Sequence, residues 1–321
     1  MTPKILIIGA CGQIGSELTL KLREKYGDEQ IIACDIREGD TNLMKSGPFE
    51  ILDATNTSEL EALVLHYKIN QIYLMAAMLS ATAEKFPMKG WQLNMNTLFN
   101  VLDLAKDKKI KQVFWPSSIA VFGLSTPKHQ TPQQTIMEPT TVYGISKQAG
   151  ERWCAYYHSR YGVDVRSLRY PGLISYKTAP GGGTTDYAIE IFHEALKHKK
   201  YTCFIKEDTA LPMMYMDDAI NATIQIMSSP ASQIKIRSSY NLSAISITPG
   251  KLAKSIQSYI PEFKIDYDPD FRQAIADSWP SSIDDSSSRE DWGWQNQFDL
   301  EQITDEMITG LKTKTSLEIE G

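Results

Sequence analysis

The sequence predicts an α/β fold, a doubly wound parallel sheet with a smaller, discontinuous C-terminal lobe. Three observations carry this expectation. The apolar run Ile5-Leu6-Ile7-Ile8 leads directly into glycines at positions 9, 12 and 15, and then into a helical pattern holding Leu18, Leu20 and Leu22. Short apolar runs then alternate with segments of helical spacing, the pattern of parallel strands joined by crossovers. After Pro171 the alternation gives way to a glycine loop at 181–183 and a later loop rich in Ser, Asp and Trp.

Taken in order, the four residues at 5–8 form a first strand, continuous and apolar as a strand buried on both faces must be. Gln30 to Cys34 reads as a second strand ending at Asp35, and Phe49 to Leu52 as a third ending at Asp53. A helix over 56–67 carries Leu60, Leu63 and Val64 on one face. Gln71 to Met75 is a fourth strand, followed by one long helix over 83–107. Gln112 to Trp115 is a fifth strand stopped by Pro116, 141–161 a long helix, and Val163 to Leu168 a sixth strand. Beyond it lie a helix over 186–198, a strand end and helix over 213–226, and a short strand at Tyr240–Leu242 that can rejoin the sheet. The expected division is a nucleotide-binding domain of 1–172 plus 217–246, and a substrate lobe of 173–216 plus 247–321, with the polar tail 312–321 fraying.

Composition narrows the possibilities. A net charge of −6 without a dominant basic patch argues against a nucleic-acid partner. No apolar stretch has the length of a membrane span, and a strand beginning at Lys4 leaves no room for a secretory signal. Cys11, Cys34, Cys154 and Cys203 have neither zinc-site nor redox-pair spacing, so a reducing cytoplasm is the expected location, and Cys11 and Cys34 read as small packers.

The glycine turn is where the chemistry begins. Gly9, Gly12, Gln13, Ile14 and Gly15 form a strand-to-helix cradle in which unpaired N–H groups and the positive helix end suit a pyrophosphate. Their Gly-x-x-Gly-x-x-Gly spacing points to a Rossmann-type unit of the short-chain dehydrogenase branch of nucleotide-binding folds. Asp35 ends the second strand 20 residues past Gly15, where a carboxylate bonds ribose hydroxyls and repels a 2′-phosphate. That favours NAD over NADP, with Ile36 and Arg37 beside it, although the Arg37 guanidinium by itself points the other way. Asp53, between Leu52 and Ala54, suits either an adenine amino group or the N-cap of the 56–67 helix.

Tyr143 and Lys147 stand four apart on one helical face. A phenol is a poor base at neutral pH, and an ammonium one turn along lowers its pKa. Ser118, at the end of the fifth-strand region, can hydrogen-bond the same substrate oxygen. These three are the candidate catalytic residues, and the chemistry they perform requires no metal.

With these motifs the chain resembles the extended short-chain dehydrogenase/reductase superfamily over about 1–250. The resemblance rests on the three glycines, Asp35, Asp53, Ala76-Ala77, Ser117-Ser118-x-Ala120-Val121-Phe122-Gly123, Tyr143-x-x-x-Lys147 and Arg169-Tyr170-Pro171-Gly172. It implies that Ser118 and Tyr143 act on the substrate oxygen and that Lys147 holds the nicotinamide ribose. It also adds Ala76, Ala77, Asn96, Tyr170, Gly172 and Leu173 to the cofactor contacts. Leu74 and Phe122 stand where a histidine and a tyrosine are common. Pro180 to Ala188, the Arg169–Ser175 stretch and the Trp279–Asp284 loop are similar to the short-chain L-threonine 3-dehydrogenase family.

A glycine-threonine loop is a receptor for a small carboxylate. Gly183, Thr184 and Thr185 are therefore expected to take the substrate carboxylate, Asp186 its ammonium, and Ser80 the opposite side; helix capping by Thr185 or Asp186 is the plainer alternative. The expected reaction is NAD-dependent oxidation of the L-threonine β-hydroxyl to 2-amino-3-oxobutyrate, in a homodimer paired through its two long helices. A nucleotide-sugar epimerase or dehydratase uses the same dyad but needs a larger cleft. A dinucleotide-sensing regulator would have no need of Tyr143 and Lys147.

Overall fold

The computed structural model describes residues 2–107, 109–178 and 183–320, leaving aside the side chains of residues 81 and 315–320. The chain forms two compact units. The first takes 1–121, 140–169 and 220–240; the second takes 122–139, 170–219 and 241–321.

The first unit runs through β1 (Ile5–Ile8), α1 (Gln13–Tyr26), β2 (Ile31–Asp35), α2 (Thr41–Lys45), β3 (Phe49–Ile51), α3 (Thr57–Tyr67) and β4 (Gln71–Leu74). It continues with α4 (Ser80–Lys85), α5 (Pro87–Lys106), β5 (Gln112–Phe114), β6 (Ser117–Ser118), α6 (Val142–Tyr161), β7 (Val165–Arg166) and the opening of β8 (Leu168–Tyr170). Six strands form one parallel sheet in the order β3-β2-β1-β4-β5-β7. The strand order reverses between β1 and β4, whose last residues Ile8 and Leu74 pair directly. Ligands of such sheets bind beyond the carboxyl ends of the strands at this reversal, which is where Gly9 and Met75 emerge.

All four β1 residues are buried. Leu6 and Ile8 share a core with Ile32, Ile72 and Val113 from the sheet, Leu98, Val101 and Leu102 from α5, and Cys154 and Tyr157 from α6. Two expectations change here. The single 83–107 helix is two helices, because Pro87 opens α5 and cannot extend the helix before it; Phe86 takes an extended φ of −135° instead. The 240–242 strand does not rejoin the six-stranded sheet, and the Tyr240 N–H donates instead to the Ser167 carbonyl at 3.0 Å.

The second unit contains β9 (Gly172–Ile174), α7 (Tyr187–His198), β10 (Lys200–Cys203) and β11 (Leu211–Tyr215). The chain then passes through α8 (Met216–Ser228), β12 (Tyr240–Asn241), β13 (Ile245–Ile247), α9 (Pro249–Tyr259), β14 (Lys264–Tyr267), α10 (Arg272–Ser278), α11 (Ser286–Trp292) and α12 (Leu300–Glu320). β11 lies between parallel β9 and antiparallel β13, while β10 pairs with β14. Residues 122–139, expected in the nucleotide-binding domain, fall in this unit. Their backbone pairs with the Trp279–Asp284 loop, Ser281 N–H donating to the Lys128 carbonyl at 2.7 Å and Thr131 N–H to that of Ser282 at 3.0 Å. The tail expected to fray is helical to Glu320.

Candidate active site

The glycine turn is built by close packing. Gly9 has φ +87°, and a Cβ there would lie 2.5 Å from the Ala76 nitrogen. A Cβ on Gly15 would lie 2.1 Å from the Gly9 carbonyl oxygen. The amides of Gly9 and Ala10 both donate to the Cys34 carbonyl, at 2.9 and 3.0 Å, which fixes the turn on β2. Gly12 differs from its neighbours. It is exposed, it caps α1 without a side chain, and a Cβ on it would meet only Gly9 O, at 3.4 Å. Open space therefore lies before the first turn of α1, formed by Gln13, Ile14 and Gly15. The turn fits a pyrophosphate.

Asp35 is half-buried, and its Oδ2 accepts the Cys11 amide at 2.9 Å, so the carboxylate is held at the rim of the turn. Ile36 and Arg37 are exposed beside it, with Arg37 Nη2 3.5 Å from the Cys11 carbonyl. Cys11 is half-buried rather than packed away, and burial with the neighbouring Asp35 charge pushes its thiol up to about 11. Asp53 is not a helix cap. Its Oδ1 accepts the Thr55 amide at 2.9 Å and hydroxyl at 2.7 Å, while Asn56 caps α3. Leu52 and Ala54 turn into the core. Ala76, anchored to the Ile8 carbonyl at 2.9 Å, and Ala77 are half-buried on the loop that carries Ser80 to the start of α4.

Asn96 is exposed on α5, one turn before Asn100. Asn100 donates to the carbonyls of Ala54 and Thr55 at 2.9 and 3.2 Å, so the face the two share borders the Asp53 turn. Sequence reasoning missed Asn100, and it missed Asn94. The buried Asn94 side chain accepts the Met78 amide at 2.7 Å and donates to Ser146 Oγ at 3.1 Å, joining the 76–80 loop to α6. Three asparagines within seven positions were the visible signal, but nothing local separated their roles.

The proposed catalytic set lies together in the first unit. Thr141 caps α6 by accepting the Gly144 amide at 3.1 Å, and Tyr143 stands in the first turn. The Ser118 hydroxyl lowers the pKa of the Tyr143 phenol, so the two lie on the same side of the site. Lys147 is 3% exposed. Its Nζ donates to the Pro116 carbonyl at 2.5 Å and lies 4.5 Å from the centre of the Trp115 ring and 5.5 Å from that of Tyr143. The expected lowering of the phenol by Lys147 is not what dominates. Burial pushes Tyr143 up to about 12, with Ser118 opposing it, and burial pulls Lys147 down to about 7. The site is drier than the spacing of two residues on a helix could reveal. One turn past Lys147, the wholly buried Glu151 binds Arg169; sequence reasoning did not single it out.

In the second unit, Tyr170 and Gly172 are buried and Leu173 half-buried. A Cβ on Gly172 would fall 2.7 Å from Thr185 Cγ2, so the glycine makes room for the threonine. Gly183 corrects one expectation. Its amide donates to Asp186 Oδ2 at 2.8 Å, and the Asp186 amide returns a bond to the Gly183 carbonyl at 3.2 Å. The Gly183 N–H is thus committed within the loop, with a carboxylate beside it. Asp186 stands at the N-cap of α7 without a side-chain cap bond to that helix. Thr184 is buried and Thr185 half-buried, while Gly181 and Gly182 lie outside the described residues. Among the described residues no group of three or more His, Cys, Asp or Glu could hold a metal ion.

A parallel sheet with a glycine cradle at its reversal and a Ser/Tyr/Lys set on adjoining elements defines a nucleotide-dependent enzyme. Residues 5–243 match the NAD dependent epimerase/dehydratase family. The chain belongs to that family. It is 50% identical over 318 residues to an uncharacterized epimerase/dehydratase of Staphylococcus saprophyticus, covering 98% of this chain and 99% of that protein. Among solved structures, a partial-consensus L-threonine 3-dehydrogenase superposes with a TM-score of 0.95 at 57% identity, covering 97% of this chain and 100% of the other. The holo GalE-like L-threonine dehydrogenase from Cupriavidus necator follows with a TM-score of 0.94 and 56% identity, covering 96% and 100%. A monomeric L-threonine 3-dehydrogenase from a metagenome gives 0.92 and 47%, covering 97% and 99%.

Proposed function

We propose that the chain oxidises L-threonine at its β-hydroxyl to 2-amino-3-oxobutyrate. The buried Lys147 with its Nζ 5.5 Å from the centre of the Tyr143 ring, and Ser118 acting on that phenol, is the observation that carries the reading. Identities of 56–57% over nearly whole chains to L-threonine dehydrogenases support the substrate. Tyr143 accepts the hydroxyl proton, Ser118 orients that oxygen, and the Lys147 ammonium stabilises the phenolate. Bound NAD supplies the hydride acceptor and the positive charge of an oxidised nicotinamide. Gly9, Gly12, Gln13, Ile14 and Gly15 hold the pyrophosphate. Asp35, with Ile36 and Arg37, holds the adenosine ribose; Leu52, Asp53 and Ala54 flank the adenine. Ala76, Ala77, Asn96, Tyr170, Gly172 and Leu173 complete the cofactor contacts.

The substrate carboxylate falls to Thr184 and Thr185 and the ammonium to Asp186, and Ser80 is a further substrate residue. The committed Gly183 amide limits that residue to shaping the loop. We further propose a homodimer. Trp153, Tyr156 and Tyr161 expose aromatic surface on α6, and Phe99 of α5 meets Trp153 edge-on at 5.0 Å. Light scattering should then give about twice 36.1 kDa, and a single-chain mass rejects the dimer. Four free cysteines are in keeping with a cytoplasmic location, and among the described residues no helix is long and apolar enough to cross a membrane. The deciding assay follows NADH with L-threonine, L-allo-threonine and L-serine. The expected order places L-threonine first. No NADH from L-threonine, with turnover of a UDP-sugar, replaces this reading by the epimerase one.

A further inference from the structure

Ser117 and Ser118 are consecutive residues of β6, so their side chains leave the strand on opposite faces. Ser118 is half-buried, and its hydroxyl lowers the pKa of the Tyr143 phenol. Ser117 is 2% exposed and donates its hydroxyl to Glu151 Oε1 at 2.6 Å. Glu151 follows Lys147 by one turn of α6 and Tyr143 by two, which places all three along one face of the helix. The same carboxylate receives a fork from Arg169, Nε to Oε1 at 2.8 Å and Nη2 to Oε2 at 2.8 Å. Arg169 is the residue before Tyr170 on β8. One buried carboxylate thus joins the segments that carry Ser118, Tyr143 with Lys147, and the strand leading to Tyr170.

Such a pair is a weak source of stability, because removing both charges from water cancels much of their attraction. A forked guanidinium–carboxylate contact does fix direction as well as distance. Its third bond goes to the residue next to the serine that must face the substrate oxygen. Proton transfer depends steeply on placement, and a shift of about 1 Å in a supporting element can cost on the order of a hundredfold in rate. We propose that Glu151 is a positioning residue, aiming Ser118 through Ser117 and registering Tyr143 through α6, for the dehydrogenation proposed above, on which this inference rests.

Ser117→Ala cuts the tie to β6 and leaves the Glu151–Arg169 pair and every group proposed to touch substrate. Its control is Ser167→Ala. Ser167 is equally buried at 2% and donates to Ser239 Oγ at 2.9 Å, a serine bond of the same unit away from Ser118. Both variants should melt within a few degrees of each other. Ser117→Ala should lose about tenfold or more in kcat with L-threonine, with KM for threonine and Kd for NAD within about threefold, whereas Ser167→Ala keeps its kcat. Ser117→Thr, which restores the hydroxyl, should recover most of the loss. A kcat within twofold of the parent for Ser117→Ala, or an equal loss in Ser167→Ala, overturns the positioning role. If the parent makes no NADH from L-threonine, the functional reading fails separately. Amide exchange over residues 117–121 then decides: faster exchange in Ser117→Ala alone supports the tie, and equal exchange in all forms overturns it.

Discussion

Gly12 and Gly15 belong to one motif, yet the structure assigns them different work, and alanine separates the two. A Cβ at Gly15 would sit 2.1 Å from the Gly9 carbonyl oxygen and 3.0 Å from Ala10 Cα; real Cβ contacts stay above 3.0 Å, so the backbone must open by about 0.9 Å. Gly9 cannot yield, because its own Cβ position is already 2.5 Å from the Ala76 nitrogen and its amide is bonded to Cys34. Overpacking costs about 1–3 kcal/mol, and a rigid backbone partner puts this site at the top of that range. Alanine returns up to about 1 kcal/mol of helix propensity. A net loss of about 2 kcal/mol lowers Tm by roughly 4–8 °C. Gly15→Ala should therefore lose both Tm and NAD affinity. At Gly12 the nearest atom is 3.4 Å away, so Gly12→Ala should melt within about 2 °C of the parent. Its methyl group stands where the phosphates approach, and NAD affinity should fall about tenfold or more. Thermal melts with NAD titration by calorimetry read both effects. A Gly15→Ala variant with parental Tm, or a Gly12→Ala variant with parental NAD affinity, refutes this division.

Tyr143→Phe keeps the ring and deletes the proton acceptor; turnover of L-threonine should fall by roughly two or more orders of magnitude with NAD binding nearly intact, and near-normal activity would mean that another group takes the proton. Asp35 should make NAD the preferred cofactor, and a kcat/KM for NADP equal to that for NAD would remove its proposed role. At Asp164, burial alone raises the carboxyl, but bonds from Arg166 and Arg237 outweigh it and hold the group below its ordinary value. A depressed folded-state pKa contributes stability above the unfolded value that is lost as pH falls through the folded one. Asp164→Asn should accordingly cost most near neutrality, and its Tm deficit should shrink below roughly pH 4; a deficit independent of pH would show that the charge is not responsible.

Whatever depends on spacing along the chain was legible without coordinates. Four buried residues of β1, the glycine spacing, the six strands of the parallel sheet and the Tyr143–Lys147 face are repeats of local geometry, and each was expected close to where it stands. Whatever depends on which distant segment arrives beside a residue was not. Residues 122–139 fall in the second unit through backbone bonds to 281–284, a pairing across some 150 positions that no periodicity announces. Asn94, Asn96 and Asn100 look alike in sequence, but only packing makes one a buried tie, one exposed and one a brace for the Asp53 turn. The lysine one turn along suggested a lowered phenol, whereas Tyr143 is pushed up, because desolvation is set by everything that surrounds a group. Gly183 offered a free amide until the fold turned Asp186 back onto it. Glu151 was one more polar residue on a helix until Arg169 and Ser117 converged on it from two other strands. Local geometry is written in the order of the residues; dielectric surroundings and hydrogen-bond partners exist only once the chain has closed on itself.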